Sequence, residues 1–146
     1  MSLEEIAGWV TEHVEFADDS ILWLWTTHRF LPDAFALVDG WGFQQKVTVT
    51  WVKTDRSGEK QRFGVGRWLR SSSEFCIMAV KGSPQIQLTS QTTVVHGPLR
   101  EHSRKPDEFY EMVDSLCLGA RRVDVFSREP RPGWDQVGVE PNKFAA

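Results

Sequence analysis

The run Ile21-Leu-Trp-Leu-Trp25 is apolar at every position, so a strand built from it needs cover on both faces. Runs of this kind belong in the middle of a parallel sheet flanked by helices. Helical spacing follows at once in Leu31, Ala34, Phe35 and Val38, with Pro32 near the first turn and Gly40 placed as a C-terminal cap. Val47 to Lys53 then alternates branched and hydroxyl side chains, which is a strand pattern. Strand, helix and strand within about thirty residues make a βαβ unit with a right-handed crossover. The expected class is α/β with a mostly parallel sheet.

The flanks extend this reading. Ser2 and Glu5 form a capping box, and Leu3, Ile6, Ala7 and Val10 recur at helical spacing. Asp18-Asp19-Ser20 marks a turn into the apolar run. Thr54 to Ser73 is polar and rich in Gly, Arg and Ser, a loop long enough to be functional. Phe75 to Val80 reads as a third strand, closed by the turn Lys81-Gly-Ser-Pro84. Gln85 to Arg104 is irregular, with a short extended piece at Thr92 to Val95. Pro106 opens a helix whose stripe is Phe109, Met112, Val113, Leu116 and Cys117, ended by Gly119. Val123 to Phe126 is a last strand, before a tail with Pro130, Pro132 and Pro141. There is no internal repeat and no boundary, and 146 residues suffice for one core. A single domain over residues 1–146 is expected.

Charge and motifs exclude several classes. With 17 basic and 20 acidic side chains the net charge is -3, so nucleic acid would need a local patch or a partner subunit. Cys76 and Cys117 sit in apolar runs and read as packed thiols rather than a disulfide or zinc framework. The apolar run is too short to cross a bilayer, and the N-terminus lacks a signal-peptide pattern. A soluble, cytoplasmic protein without membrane contact is expected. His13, His28, His96 and His102 lack metal-ligand spacing, so no metal is expected. Neither a Gly-x-Ser-x-Gly elbow nor a Walker loop is present. Gly64-Val-Gly66 is half a dinucleotide fingerprint, but it lies in a polar loop and reads as flexible chain. Trp68 and Trp134 lie near Arg67, Arg70 and Arg131, where an aromatic either stacks on a base or pins a loop. Arg100, Arg104 and Lys105 precede a helix start carrying Asp107 and Glu108. The cations either meet an anion there, or the acids complement the helix dipole beside solvated cations.

A family resemblance rests on motifs occurring in order. They are Leu24-Trp-Thr-Thr-His-Arg-Phe30, Trp41-Gly-Phe43, Thr50-Trp-Val-Lys53, Gly66-Arg-Trp-Leu-Arg-Ser-Ser-Ser-Glu-Phe-Cys76, Val80-Lys-Gly82, Arg104-Lys-Pro-Asp-Glu-Phe-Tyr110 and Arg131-Pro-Gly-Trp134. From about Met1 to Phe144 the chain resembles the S-adenosylmethionine-dependent N6-adenine methyltransferases of the mRNA adenosine methyltransferase seventy-kilodalton-subunit type. Its wording is closer to the bacterial and phage DNA enzymes. The resemblance implies a permuted Rossmann-like methyltransferase fold with the cofactor-binding strand, Val123 to Phe126, late in the chain. Carried over by position, Lys105 contacts the cofactor carboxylate and Arg128 its ribose, and Glu140 falls in a further cofactor motif. Glu74 lies near the target adenosine, and Ser103 and Arg104 belong to an active-site loop.

Two departures stand out. The family's Asp-Pro-Pro-Trp signature accepts hydrogen bonds from the adenine amine, and this sequence contains neither Asp-Pro nor Pro-Pro. No catalytic residue is therefore assigned. Met1 to Ile6 resembles a family segment downstream of that signature, so the domain is expected to be N-terminally truncated. The absent strand would lie between those at Ile21 and Val123, exposing two edges or forcing a repacked sheet. The second departure is Gly138-Val139-Glu140, where the family has Gly-Asn-Glu or Gly-Asn-Gln. Valine cannot supply the asparagine's bond to the cofactor, a loss of about 1–3 kcal/mol.

The implied function is methyl transfer to N6 of adenine, in DNA before RNA, with this chain inactive alone. A noncatalytic subunit paired with an active methyltransferase, offering Arg67, Arg70, Arg104 and Arg131 to nucleic acid, is the alternative, as is a degenerate remnant. A homodimer through open strand edges is a further expectation.

Overall fold

The computed structural model describes residues 1–87, 89–101 and 104–138. Helix α1 spans Leu3–His13, and the Ser2 hydroxyl caps it by accepting the Glu5 N–H at 3.1 Å. Strand β1 is Ser20–Thr26, α2 is Leu31–Gly40, β2 is Gln44–Thr54 and β3 is Ser73–Lys81. Then come β4 at Val94–Pro98, α3 at Asp107–Leu116, β5 at Arg122–Val125 and β6 at Trp134–Val137.

The sheet is mixed, which corrects the expected mostly parallel one. Four strands run in the order β1-β3-β2-β4, and β5 pairs with β6 in a second sheet. β1 and β2 point the same way, as a βαβ unit requires, but β3 lies between them and is antiparallel to both. Parallel pairing occurs at β2–β4 and β5–β6. The connection at residues 55–72 contains no helix, so β3 enters the place beside β2 in the only sense a direct return allows.

β1 is an edge strand rather than a central one, and most of it is half-buried. Its uniform apolarity has another cause: Leu22 and Leu24 pack into one core, while Ile21, Trp23 and Trp25 pack into the other. The first core joins Val10 of α1, Ala34 and Val38 of α2 and Ile77 and Ala79 of β3. The second joins Phe109, Met112 and Val113 of α3 to Val49, Cys76 and Val95. Two helices therefore cover one face of the sheet and α3 covers the other. Among the described residues, β1 and β5 each pair on one side only.

Smaller differences are local. Gly40 ends α2 inside the helix, and the left-handed conformation falls on Gly42 at φ 80°. β6 arises in the proline-flanked tail. Trp134 there pins the strand by donating to Asp114 Oδ1 at 3.0 Å, whereas Trp68 stands 91% exposed and pins nothing. Cys76 and Cys117 are free and buried. Among the described residues no helix is long and apolar enough to cross a membrane.

Candidate functional site

Because β1, β2 and β4 run together and β3 opposes them, their carboxyl ends share one end of the sheet with the start of β3. Ligands of α/β sheets bind at such an end. Period-two alternation in β2 puts Val49, Trp51 and Lys53 on one face, and Trp51 stands opposite Glu74. Lys53 Nζ lies 2.9 Å from Glu74 Oε2. Lys105 reaches the same carboxylate from the segment before α3, with Nζ 2.8 Å from Oε1.

A close backbone approach fixes that segment. A Cβ on Gly97 would stand 2.6 Å from Pro106 Cβ, so only glycine lets the end of β4 meet the start of α3. The Gly97 carbonyl also accepts Trp51 Nε1 at 2.9 Å. Aromatic rings floor the cluster: Lys105 Nζ lies 5.0 Å from the Trp25 ring and Lys53 Nζ 5.5 Å from Trp51. The three charged side chains are only about one-sixth exposed, at 17%, 16% and 16%. Burial pushes the Glu74 carboxyl up, but the Lys105 and Lys53 ammonium groups outweigh it and hold the carboxyl below its ordinary value.

Two ammonium groups sharing one carboxylate leave an excess positive charge in a half-enclosed site. Such a site suits a further anion. The buried Trp25 indole N–H has no hydrogen-bond partner among the described residues. Among the described residues no three His, Cys, Asp or Glu side chains gather as a metal would need.

A second cluster ties this site to β5. Glu129 receives Arg104 in a two-pronged contact at 2.7 and 3.2 Å, and Arg131 at 3.2 Å. Arg100 sits 3.4 Å from Glu129 and 3.0 Å from Asp107, and Arg131 also holds Asp107 at 2.8 Å. The Arg131 guanidinium stacks 3.6 Å over Tyr110, whose hydroxyl donates to Asp124 Oδ2 at 2.8 Å. Arg128 precedes Glu129 in the turn after β5 and Arg104 precedes Lys105, so the Arg104–Glu129 pair joins these two segments.

The structure thus joins Glu74 to Lys105 and sets Arg128 on the adjoining turn. Arg104 and Arg131 are held in ion pairs, with side chains 18% and 16% exposed, rather than standing on an open nucleic-acid face. Arg67 and Arg70 are exposed in the 55–72 connection. Ser103 and Glu140, like His102 and Val139, lie outside the described residues. Sequence reading missed Lys53 and Glu129. A lysine continuing the buried stripe of Val49 and Trp51 was the available signal for the first. For Glu129 no local signal exists, since its partners come from a distant segment.

An α/β domain with helices on both faces and a charged site at the strands' carboxyl ends is the class defined here. The MT-A70 family model matches residues 7–140, and the chain belongs to that family. It is 35% identical over 121 residues to a putative N(6)-adenosine-methyltransferase MT-A70-like protein of Medicago truncatula, covering 81% of this chain and 20% of that protein. It is 34% identical over 125 residues to the human N(6)-adenosine-methyltransferase catalytic subunit METTL3, covering 83% and 22%. A more distant relative is the Xenopus tropicalis non-catalytic subunit METTL14, 27% identical over 113 residues, covering 67% and 24%. The chain spans about a fifth of the length of these relatives.

Proposed function

We infer that this domain supplies the cofactor-side half of an S-adenosylmethionine-dependent N6-adenine methyltransferase. The observation that carries this reading is the Lys105–Glu74 pair at the carboxyl end of the sheet, with its unmatched positive charge and the Arg128 turn beside it. S-adenosylmethionine, when bound, supplies an electrophilic methyl group. Lys105 holds its carboxylate, Arg128 its ribose, and ionised Glu74 accepts a hydrogen bond from the target nucleoside. The relatives' names specify adenosine, the ribonucleoside, which supports RNA as the target over DNA.

The chain does not complete the reaction alone, because the Asp-Pro-Pro-Trp acceptor for the adenine amine is absent from its sequence. That acceptor comes from a further segment or from a methyltransferase-family partner. The likeness to a non-catalytic subunit supports the second source. The test is methyl transfer from labelled S-adenosylmethionine to adenine-containing RNA and DNA. The purified chain alone is expected to make no N6-methyladenosine, while adding a chain that bears Asp-Pro-Pro-Trp yields product on RNA. Product from the chain alone, or none from the mixture, contradicts the reading.

A further inference from the structure

We propose that Lys53 is the positioning residue of the site: it keeps Glu74 oriented and ionised while Lys105 is engaged by the cofactor. This rests on the cofactor reading above. Glu74 has two ammonium partners, one on each oxygen, at 2.9 Å from Lys53 and 2.8 Å from Lys105. They are held very differently. Lys53 sits in β2, paired on one side to β3 and on the other to β4, where it stands opposite Gly97. Its N–H also donates to Ser72 O at 3.0 Å. Lys105 sits in an irregular segment between β4 and α3.

A cofactor carboxylate competes with Glu74 for the Lys105 ammonium. Were Lys105 the sole partner, binding would free Glu74 to rotate or take up a proton. A protonated carboxyl becomes a donor, which reverses what it offers to an amine or hydroxyl on the nucleoside. Lys53 prevents that from the opposite oxygen, and its own place is fixed by the Trp51 ring beneath it. The charged groups facing Glu74 are Lys53 from β2 and Lys105 from the segment before α3. Other titratable groups on the flanking elements are His28, which bonds Ser73 Oγ at 3.2 Å, and the Cys76 thiol, which burial pushes up.

The test is carbon-13 NMR titration of the Glu74 carboxyl in the intact chain, with and without S-adenosylmethionine. In Lys53→Met the midpoint is expected to rise by about one pH unit, and further with cofactor present. Lys53→Arg is expected to restore it. Lys105→Met, which leaves β2 untouched, should keep Glu74 below the ordinary glutamate value through Lys53 alone. A midpoint unmoved in Lys53→Met, or an ordinary one in Lys105→Met, overturns the proposal. If Lys53→Met does not fold, Lys105→Met decides. Calorimetry separates the premises: no heat with S-adenosylmethionine rejects the cofactor reading, while the cofactor-free titrations still judge Lys53.

Discussion

Gly138 shows how a single residue shapes the site. Its φ is 155°, and a Cβ there would stand 2.8 Å from Phe126 Cα. Phe126 is itself left-handed at φ 61°, and its N–H donates to Val137 O at 2.7 Å. The end of β6 therefore clamps the turn that carries Ser127 and Arg128. Gly138→Ala is expected to lower stability by about 1–3 kcal/mol through this clash, read by urea unfolding. Wild-type stability in that variant would show that the turn does not need the close approach. At this scale the sequence was partly legible. Ser2 capped its helix as the spacing implied, whereas the pairing of Glu74 with Lys105 is a finding of the fold, since the family wording gave each a separate role. Lys53 went unread because a lone lysine in a strand looks like a solvated end until its neighbours' burial is known.

At the scale of elements, the Glu129 network joins the β5–β6 turn to the entry of α3. Hydrogen bonds from Arg104 hold Glu129 below its ordinary value against some burial, and Arg131 does the same for Asp107. A carboxylate with a lowered folded-state value binds protons more readily when unfolded. Its stabilisation is thus full above the ordinary carboxylate range and lost as pH falls through the lowered value. Unfolding free energy should hold steady from neutral pH to about pH 5 and fall below about pH 4. Glu129→Gln should cost about 1.5–3 kcal/mol at neutral pH and flatten part of the acid limb. An acid limb of unchanged depth in Glu129→Gln would assign it elsewhere. Among the described residues, periodicity found all three helices and four of the six strands close to their bounds, with a short extended piece anticipating β4, because amphipathic spacing is local. It missed β6, four residues among prolines whose pairing with β5 comes from tertiary contact.

For the whole molecule, strand order was the least legible feature. The apolar run at β1 has helices on both faces, as its composition demanded, yet it sits at an edge because β3 returns antiparallel into the place expected for a parallel neighbour. No local pattern encodes that choice. β1 presents an apolar edge without the charge or proline that usually blunts one. The proposed cofactor site draws on Lys105, Glu74 and Arg128, and calorimetric titration of the purified chain with S-adenosylmethionine tests that proposal most directly. The account predicts saturable binding in the micromolar range, about -8 kcal/mol, weakened roughly tenfold or more by Lys105→Met through loss of a charged hydrogen bond. No heat at millimolar cofactor, or binding indifferent to Lys105→Met, would contradict it.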